Sequence, residues 1–142
     1  MTEKMNYFSH PELAKQVCSI IPESMESHEF DLAMALLMRK PIKVENGGVL
    51  MDHGNGQWVT FSPIYRDEDL IMVISNVGIV TGTHEEFDDP DDTNCERPTG
   101  YHYSTHAFFG GTSCDHEKSL KKAVAISCAK LLAHEVRIRL EK

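Results

Sequence analysis

The sequence contains no long hydrophobic run, and this limits the classes of protein it can encode. No window approaches the roughly 18 continuous apolar residues of a membrane helix. The N-terminal stretch MTEKMNYFSHPEL has no apolar core of the length found in signal peptides. We therefore expect a cytosolic protein without a membrane span, whose four cysteines stay reduced. Cys18 and Cys128 fall in helical patterns and are expected to pack as small apolar residues.

Positive charge is also scarce. Lys and Arg together number 14 against 22 Asp and Glu, which gives a formal net charge of −8. Because nucleic-acid backbones are neutralised by Lys and Arg, this balance argues against general nucleic-acid binding. It favours solubility, or a basic partner.

With 142 residues, 41% of them apolar and 25% charged, the chain suits one globular domain. There are no internal repeats and no linker-like stretch. We expect a single α+β domain over residues 1–142, with residues 1–8 as a loose lead-in and residues 84–98 as an acidic loop.

Two helices are predicted near the start of the chain. Ser9 can cap the first, whose early turn holds Pro11. Ser27 can cap the second, with acidic Glu29 and Asp31 in its early part, where a helix dipole favours negative charge. Its buried face is expected to be an apolar stripe at helical spacing, formed by Phe30, Ala33, Met34, Leu37 and Met38.

The middle of the chain predicts strands and turns. Residues 42–44 form a short strand, and residues 49–61 form a β-hairpin around the His53-Gly-Asn-Gly56 turn. In its second strand, alternation places Val59 and Phe61 on one face. Residues 67–75 are compatible with a helix or a strand, and the acidic start at Asp67 favours a short helix. A strand over residues 77–81 then follows.

The last part predicts one strand and one long helix. The strand covers residues 101–109. The helix runs from about Glu117 to Arg139, capped by Ser113 or Asp115, with Ala123 and Ser127 allowing close approach of a sheet. Together these elements predict an α+β fold with a small antiparallel sheet of three to five strands, flanked by N-terminal and C-terminal helices.

Residues 85–92, EEFDDPDD, are the most biased segment, with six acids in eight positions. They lack the alternating ligands and central glycine of an EF-hand loop. A solvated loop is the simplest interpretation. The alternative is a partner-binding loop whose contacts are Glu85, Glu86, Asp88, Asp89, Asp91 and Asp92.

Histidine and cysteine cluster between residues 84 and 116, which raises the question of a zinc site. If residues 101–109 are a strand, His102 and His106 lie about 13 Å apart at ~3.3 Å per residue and cannot both bind one metal. No CxxC pair is present. We expect no cofactor, and the alternative is a zinc site formed by Cys95, His102, Cys114 and His116.

A second group of residues favours a small-molecule pocket. Aromatic faces stack on bases, and lysines at a helix start meet phosphates. The chain has both kinds of residue around its last strand and helix. The predicted ligand-binding residues are Trp58, Tyr101, His102, Tyr103, His106, Lys118, Lys121 and Lys122.

Three segments together carry a family resemblance: EFDLAMALLMRK at residues 29–40, DEDLIMVISNVGIV at residues 67–80 and SLKKAVAISCAKLL at residues 119–132. With them, the chain resembles the small bacteriophage proteins of the NinX-like group and the related phage ABA-sandwich domain. The resemblance covers roughly residues 27–134. It implies a sandwich-like α+β fold and a phage accessory gene, and it supplies no catalytic residues.

The resemblance and the residues together indicate a non-enzymatic phage accessory protein of the counter-defence type. It would act in the cytoplasm of the infected bacterium and sequester a host factor, with a small nucleotide-like signal as the first choice. One alternative is a small metal-dependent, nucleotide-processing enzyme. The other is an inhibitor that binds a host protein through the acidic loop. The enzyme question and the oligomeric state stay open, with a homo-oligomer as one alternative.

Overall fold

A computed structural model describes residues 5–86, 100–107, 113–117 and 119–140. The fold is α+β, as the sequence predicts, with antiparallel three-stranded sheets. The helices are α1 (Asn6–Ser9), α2 (Pro11–Cys18), α3 (Ser27–Leu36), α4 (Asp67–Val73) and α5 (Leu120–Arg139). The strands are β1 (Ile42–Glu45), β2 (Gly48–Asp52), β3 (Trp58–Phe61), β4 (Ile79–Glu86), β5 (Gly100–Ala107) and β6 (Ser113–Glu117).

The first sheet has the order β1-β2-β3 and is built from two hairpins. The turn between β1 and β2 uses Asn46 and Gly47 at φ values of 53° and 79°, which this tight connection requires. In β3, Phe61 is buried whereas Trp58 and Thr60 are exposed, which confirms the predicted alternation. Trp58 lies on the outer face, with Lys43 Nζ 4.7 Å from its ring centroid.

The two long helices form the centre of the molecule. Helix α3 packs against β2 on one side and α5 on the other, and α5 packs in turn against β5 and β6. Both helices are therefore covered on more than one side. Every residue from Ala33 to Met38 is buried, and so is every residue from Ala123 to Ala129. The narrow apolar stripe predicted for α3 is correct but is only part of a wider buried surface.

Helix α5 joins the second sheet, of order β4-β5-β6, through hydroxyl groups. The Thr105 hydroxyl donates to the Ala123 carbonyl at 2.7 Å. The Ser127 hydroxyl lies 2.5 Å from that of Thr105 and donates to the Thr105 carbonyl at 3.2 Å. The small residues on this face of α5 permit the close approach, as their pattern in the sequence predicted.

The structure of the N-terminal segment differs from the prediction. Residues 6–8, expected to be loose, belong to α1, and the side chain of Tyr7 is buried. The Asn6 side chain donates to the carbonyls of Ala35 and Lys40, and the Tyr7 hydroxyl donates to Glu135 at 3.1 Å. These partners are distant in sequence, so local pattern could not reveal them.

The start of α5 also differs from the prediction. Residues 113–117, expected to cap and open this helix, form β6, and Ser119 is the cap, accepting from the Lys122 backbone N–H at 3.3 Å. Residues 84–86, assigned to the acidic loop, extend β4. Sheet pairing accounts for both differences, because β5 provides a partner for each strand.

Other boundaries move by one or two residues. The predicted cap of α3, Ser27, is its first helical residue, and Glu26 and Glu29 form a reciprocal capping box instead. His10 rather than Ser9 is the residue before α2. Residues 67–73 are helical, as favoured, and one π-helical turn over Ile74–Gly78 delays β4 to Ile79. Within the described ranges, no helix is long and apolar enough to span a bilayer.

Candidate functional site

The turn after β3 is held by two buried aspartates from different helices. Asp31 of α3 accepts a hydrogen bond from the Ser62 hydroxyl at 2.7 Å and another from the Ile64 backbone N–H at 3.2 Å. Asp69 of α4 accepts from the Ser62 backbone N–H at 2.9 Å. Only 6% of Asp31 and 4% of Asp69 is exposed. The turn that contains Ser62 and Pro63 is thus the point at which α3, α4 and the first sheet are joined.

The protonation of Asp31 is set by opposing effects. Burial raises the pKa of Asp31 above its ordinary value of 3.8, and the nearby charge of Asp69 acts in the same direction. The hydrogen bonds from Ser62 and Ile64, together with His28, act to lower it. Because burial dominates, the carboxyl group holds its proton to a higher pH than an exposed aspartate does.

Asp31 lines an open cavity of about 450 Å³, which we call the Asp31 cleft. The cleft lies between the start of α3 and the end of the first sheet that carries the Asn46-Gly47 turn. Tyr65, 74% exposed, is the aromatic residue of its rim. The cleft is lined by Glu26, Ser27, His28, Asp31, Gly47, Gly48, Val49, Thr60, Phe61, Ser62 and Tyr65.

A second cavity, of about 470 Å³, lies where α5 begins, and we call it the Lys121 groove. Met25, Phe30 and Ile64 supply apolar surface, and Ser119, Lys121 and Lys122 come from the cap and first turn of α5. Lys121 Nζ lies 2.7 Å from a carboxylate oxygen of Asp67, whose side chain is 79% exposed. Glu26 and Ser27 line both the groove and the Asp31 cleft.

The structure brings together only part of the predicted ligand-binding set. Lys121 and Lys122 share the groove. Trp58 is on the outer face of the first sheet under Lys43, and half-buried Tyr103 is on β5; neither lines the groove or the cleft as described. The backbones of Tyr101, His102 and His106 lie on β5, and Lys118 falls outside the described residues.

The predicted acidic contacts and zinc ligands are placed only in part. Glu85 and Glu86 are backbone positions of β4, paired with Tyr101 and Gly100. In β6, Cys114 pairs with Thr105 of β5, and the backbone of His116 belongs to the same strand. The remaining predicted residues lie outside the described ranges: Asp88, Asp89, Asp91, Asp92 and Cys95.

One group with the spacing of metal ligands occurs in the described part of the chain, formed by Glu26, His28 and Glu29. Both glutamates already act in the capping box, where Glu29 accepts from the Glu26 backbone N–H at 2.8 Å. The group also lies at the N-terminal end of α3, where the helix dipole disfavours a cation. Helix capping therefore accounts for these residues.

Sequence reasoning missed Asp31, Ser62 and Tyr65 as site residues. Asp31 was interpreted as part of the favourable negative charge near the start of α3. The available signal was its position beside Phe30 and Ala33 of the apolar stripe, because an acid placed among buried residues needs a partner. Nothing local identified Ser62 as that partner, since the two residues are 31 positions apart.

Comparison with known proteins found no match: no family model, curated protein or solved structure corresponds to this chain.

Proposed function

We propose that this protein is a non-enzymatic bacteriophage accessory protein that binds and sequesters a small, anionic, nucleotide-like molecule of the host. The observation that carries the proposal is the Lys121 groove, in which lysines of a helix N-terminus adjoin apolar side chains. The phage setting comes from the resemblance described above. The chain has a net charge of −8, so two adjacent lysines in one groove are a local exception to its overall negative charge.

The polar end of the groove has the chemistry of an anion site. Lys121 and Lys122 are in the first turn of α5, a helix of 20 residues whose N-terminus carries partial positive charge. The carboxylate of Asp67 already contacts Lys121. Because Asp67 is largely exposed, a phosphate that binds both lysines can displace it at small cost.

The apolar end of the groove provides surface for a ring. Phe30 is a buried aromatic residue, and Met25 and Ile64 lie beside it. Methionine adapts its shape to flat ligands. The volume of about 470 Å³ falls in the range of ~300–1,000 Å³ that holds small ligands. A phosphate near α5 and a base near Met25 would occupy the two ends.

The first test is native mass spectrometry of protein purified from infected cells, followed by calorimetry with a panel of mono-, di- and cyclic nucleotides. The double variant Lys121→Gln/Lys122→Gln should bind at least ~10-fold more weakly, which corresponds to about 1.4 kcal/mol. Lys130→Gln is the matched control, because Lys130 lies on the same helix and its side chain is 38% exposed against 37% for Lys121.

Each result has a defined meaning. Retention of a nucleotide, loss of binding in the double variant and normal binding in the control support the proposal. A recovered nucleotide of altered mass would replace sequestration with the enzymatic alternative. If no nucleotide binds, or if the double variant binds like the wild type, the proposed function is wrong.

A further inference from the structure

We infer that the Asp31 cleft is a second binding site, which accepts a positively charged nitrogen group such as a protonated amine or a guanidinium. This inference does not rest on the function proposed for the Lys121 groove, because it concerns a ligand of opposite charge and depends on Asp31 and Tyr65, which do not line the groove. The group can belong to a free small molecule or to a Lys or Arg side chain of a protein.

The charge of the cleft selects for a cation. The described residues that line it include two acids, Glu26 and Asp31, and neither lysine nor arginine. His28 lies 3.5 Å from Glu26 at the exposed rim. Arg66, which is near in sequence to Ser62, contacts the carboxylates of Glu68 and Asp69 and donates to the Thr60 carbonyl. The partial positive charge of the α3 N-terminus disfavours a cation beside Glu26, but it falls off within the first helical turn. Asp31 lies in the second turn of α3, so a cation there would meet attraction and an anion would meet repulsion.

The Asp31 carboxylate has accepting capacity left for a ligand. Oδ2 accepts one hydrogen bond from Ser62 and Oδ1 accepts one from Ile64. A carboxylate offers about four acceptor positions, so roughly two remain. A planar guanidinium can donate to both oxygens together, and burial strengthens such charge-assisted bonds.

Tyr65 supplies the second half of the site. It is exposed to 74% although it is a large aromatic residue, and it lines the same cavity as Asp31. An aromatic ring and a buried carboxylate that line one cavity are a combination suited to cations, because the ring attracts positive charge on its face. The turn that carries Tyr65 is fixed by hydrogen bonds from the backbone N–H groups of Tyr65 and Arg66 to the Ser62 carbonyl, at 3.0 and 2.7 Å.

The cleft is also open on the side opposite α3. Gly47 has a φ value of 79°, and a Cβ atom placed on it would meet nothing within 4 Å. With a volume of about 450 Å³, the cleft can receive a whole arginine side chain. The hydrogen bonds that hold the Asp31 carboxylate limit the entropy lost there on binding.

The test is an amide chemical-shift titration of the full-length protein with a blocked Gly-Arg-Gly peptide and its citrulline counterpart. Citrulline has the shape of arginine but no charge. We expect shifts at Gly47, Gly48 and Ser62, and binding at least ~10-fold weaker for the citrulline peptide. Ethylguanidinium and butylammonium chloride serve as free small cations in parallel titrations.

Three variants identify the groups involved. Tyr65→Ala should weaken arginine binding several-fold, whereas Ile21→Ala should not, since Ile21 is 65% exposed but lines neither the cleft nor the groove. Asp31→Asn should abolish binding, and its amide spectrum shows whether it is folded. If it does not fold, Tyr65→Ala still tests the site.

The outcomes separate the sources of the ligand. Free cations that bind as tightly as the peptide assign the site to a small amine or guanidine. A peptide that binds at least ~10-fold more tightly than the free cations assigns it to a protein side chain. Equal binding of citrulline and arginine, or wild-type affinity in Tyr65→Ala, would overturn the inference and leave nucleotide binding in the Lys121 groove untouched.

Discussion

Asp31 shows at the scale of one residue how a buried acid becomes tolerable. It lies between Phe30 and the buried run Ala33–Met38, which begins in α3 and continues past its end, and two hydrogen bonds from the turn after β3 compensate part of the burial cost. The same two bonds fix the turn. The carboxyl group that is costly to bury is therefore also the group that joins α3 to this turn.

Replacement of Asp31 should change how stability depends on pH. The folded-state pKa is raised above 3.8, so the unfolded chain loses this proton first as pH rises. As pH rises from about 3.8 to the raised pKa of the folded state, ionisation of Asp31 therefore lowers the free energy of unfolding, by at most about 1.4 kcal/mol per pH unit. Relative to wild type, Asp31→Asn should gain stability across that window and level off above it.

Urea denaturation between about pH 3.5 and about pH 8 measures this difference. The altered hydrogen bonds with Ser62 should change the free energy of unfolding by the same amount at every pH. The test is therefore how the difference between Asp31→Asn and wild type varies with pH. Asp67→Asn supplies the control, because it makes the same chemical change at a carboxyl that is 79% exposed. A difference between Asp31→Asn and wild type that does not vary with pH would contradict the assignment.

Burial of Cys128 lowers the reactivity of its thiol. It is fully buried in α5, and burial raises the pKa of its thiol from 9.0 to about 12. The thiolate fraction at a given pH below 9 therefore falls about a thousandfold, and the thiolate is the reactive form.

We expect Cys128 to resist iodoacetamide in the native protein and to react fully in urea. Peptide mass spectrometry after timed labelling measures the ratio of the two rates, which should be at least ~100. Cys18, half-buried in α2, is the internal comparison and should label faster than Cys128 in the native state. Equal native rates at the two cysteines would show that α5 opens readily.

At the scale of elements, the contact between α5 and β5 depends on polar groups in a buried place. The hydroxyls of Thr105 and Ser127 and the Ala123 carbonyl form one hydrogen-bonded group between helix and strand. Such groups orient two elements more narrowly than apolar contact does.

Thr105→Val should lower the free energy of unfolding by about 1–3 kcal/mol, because the isosteric change leaves the Ala123 carbonyl without its Thr105 donor. Thr60→Val makes the same change at an exposed strand position and should cost little. Chemical denaturation of both variants gives the comparison. If Thr105→Val is as stable as Thr60→Val, the hydroxyl group does not hold helix to sheet.

The success of sequence reasoning also varied by element. The hairpin over β2 and β3, the helix α3 and the helical start at Asp67 were predictable, because their turn residues, periodicity and acidic first turn are local. Helix α1 and strand β6 were not. Their partners, such as Glu135 for Tyr7 and Thr105 for Cys114, are set by the tertiary arrangement.

At the scale of the whole molecule, the candidate site consists of segments that meet only in the folded chain. The Lys121 groove combines Met25 and Phe30 with Ile64 and the first turn of α5. The lysines were predicted because residue type and helix position suffice to mark them. The apolar residues beside the lysines were not predicted. Trp58 was expected to lie beside the lysines, but the fold places it on the outer face of the first sheet.

The wall shared by the two cavities has a consequence for regulation. Glu26 lines both the Asp31 cleft and the Lys121 groove, and through its capping box it also begins α3. A cation that draws the Glu26 carboxylate toward one side removes negative charge from the other. The two ligands would then act as heterotropic effectors of each other, and thermodynamic reciprocity requires each to change the affinity of the other by the same factor. Because less negative charge in the groove favours an anion, this coupling would be positive, and such a protein would respond most strongly when both ligands are present together.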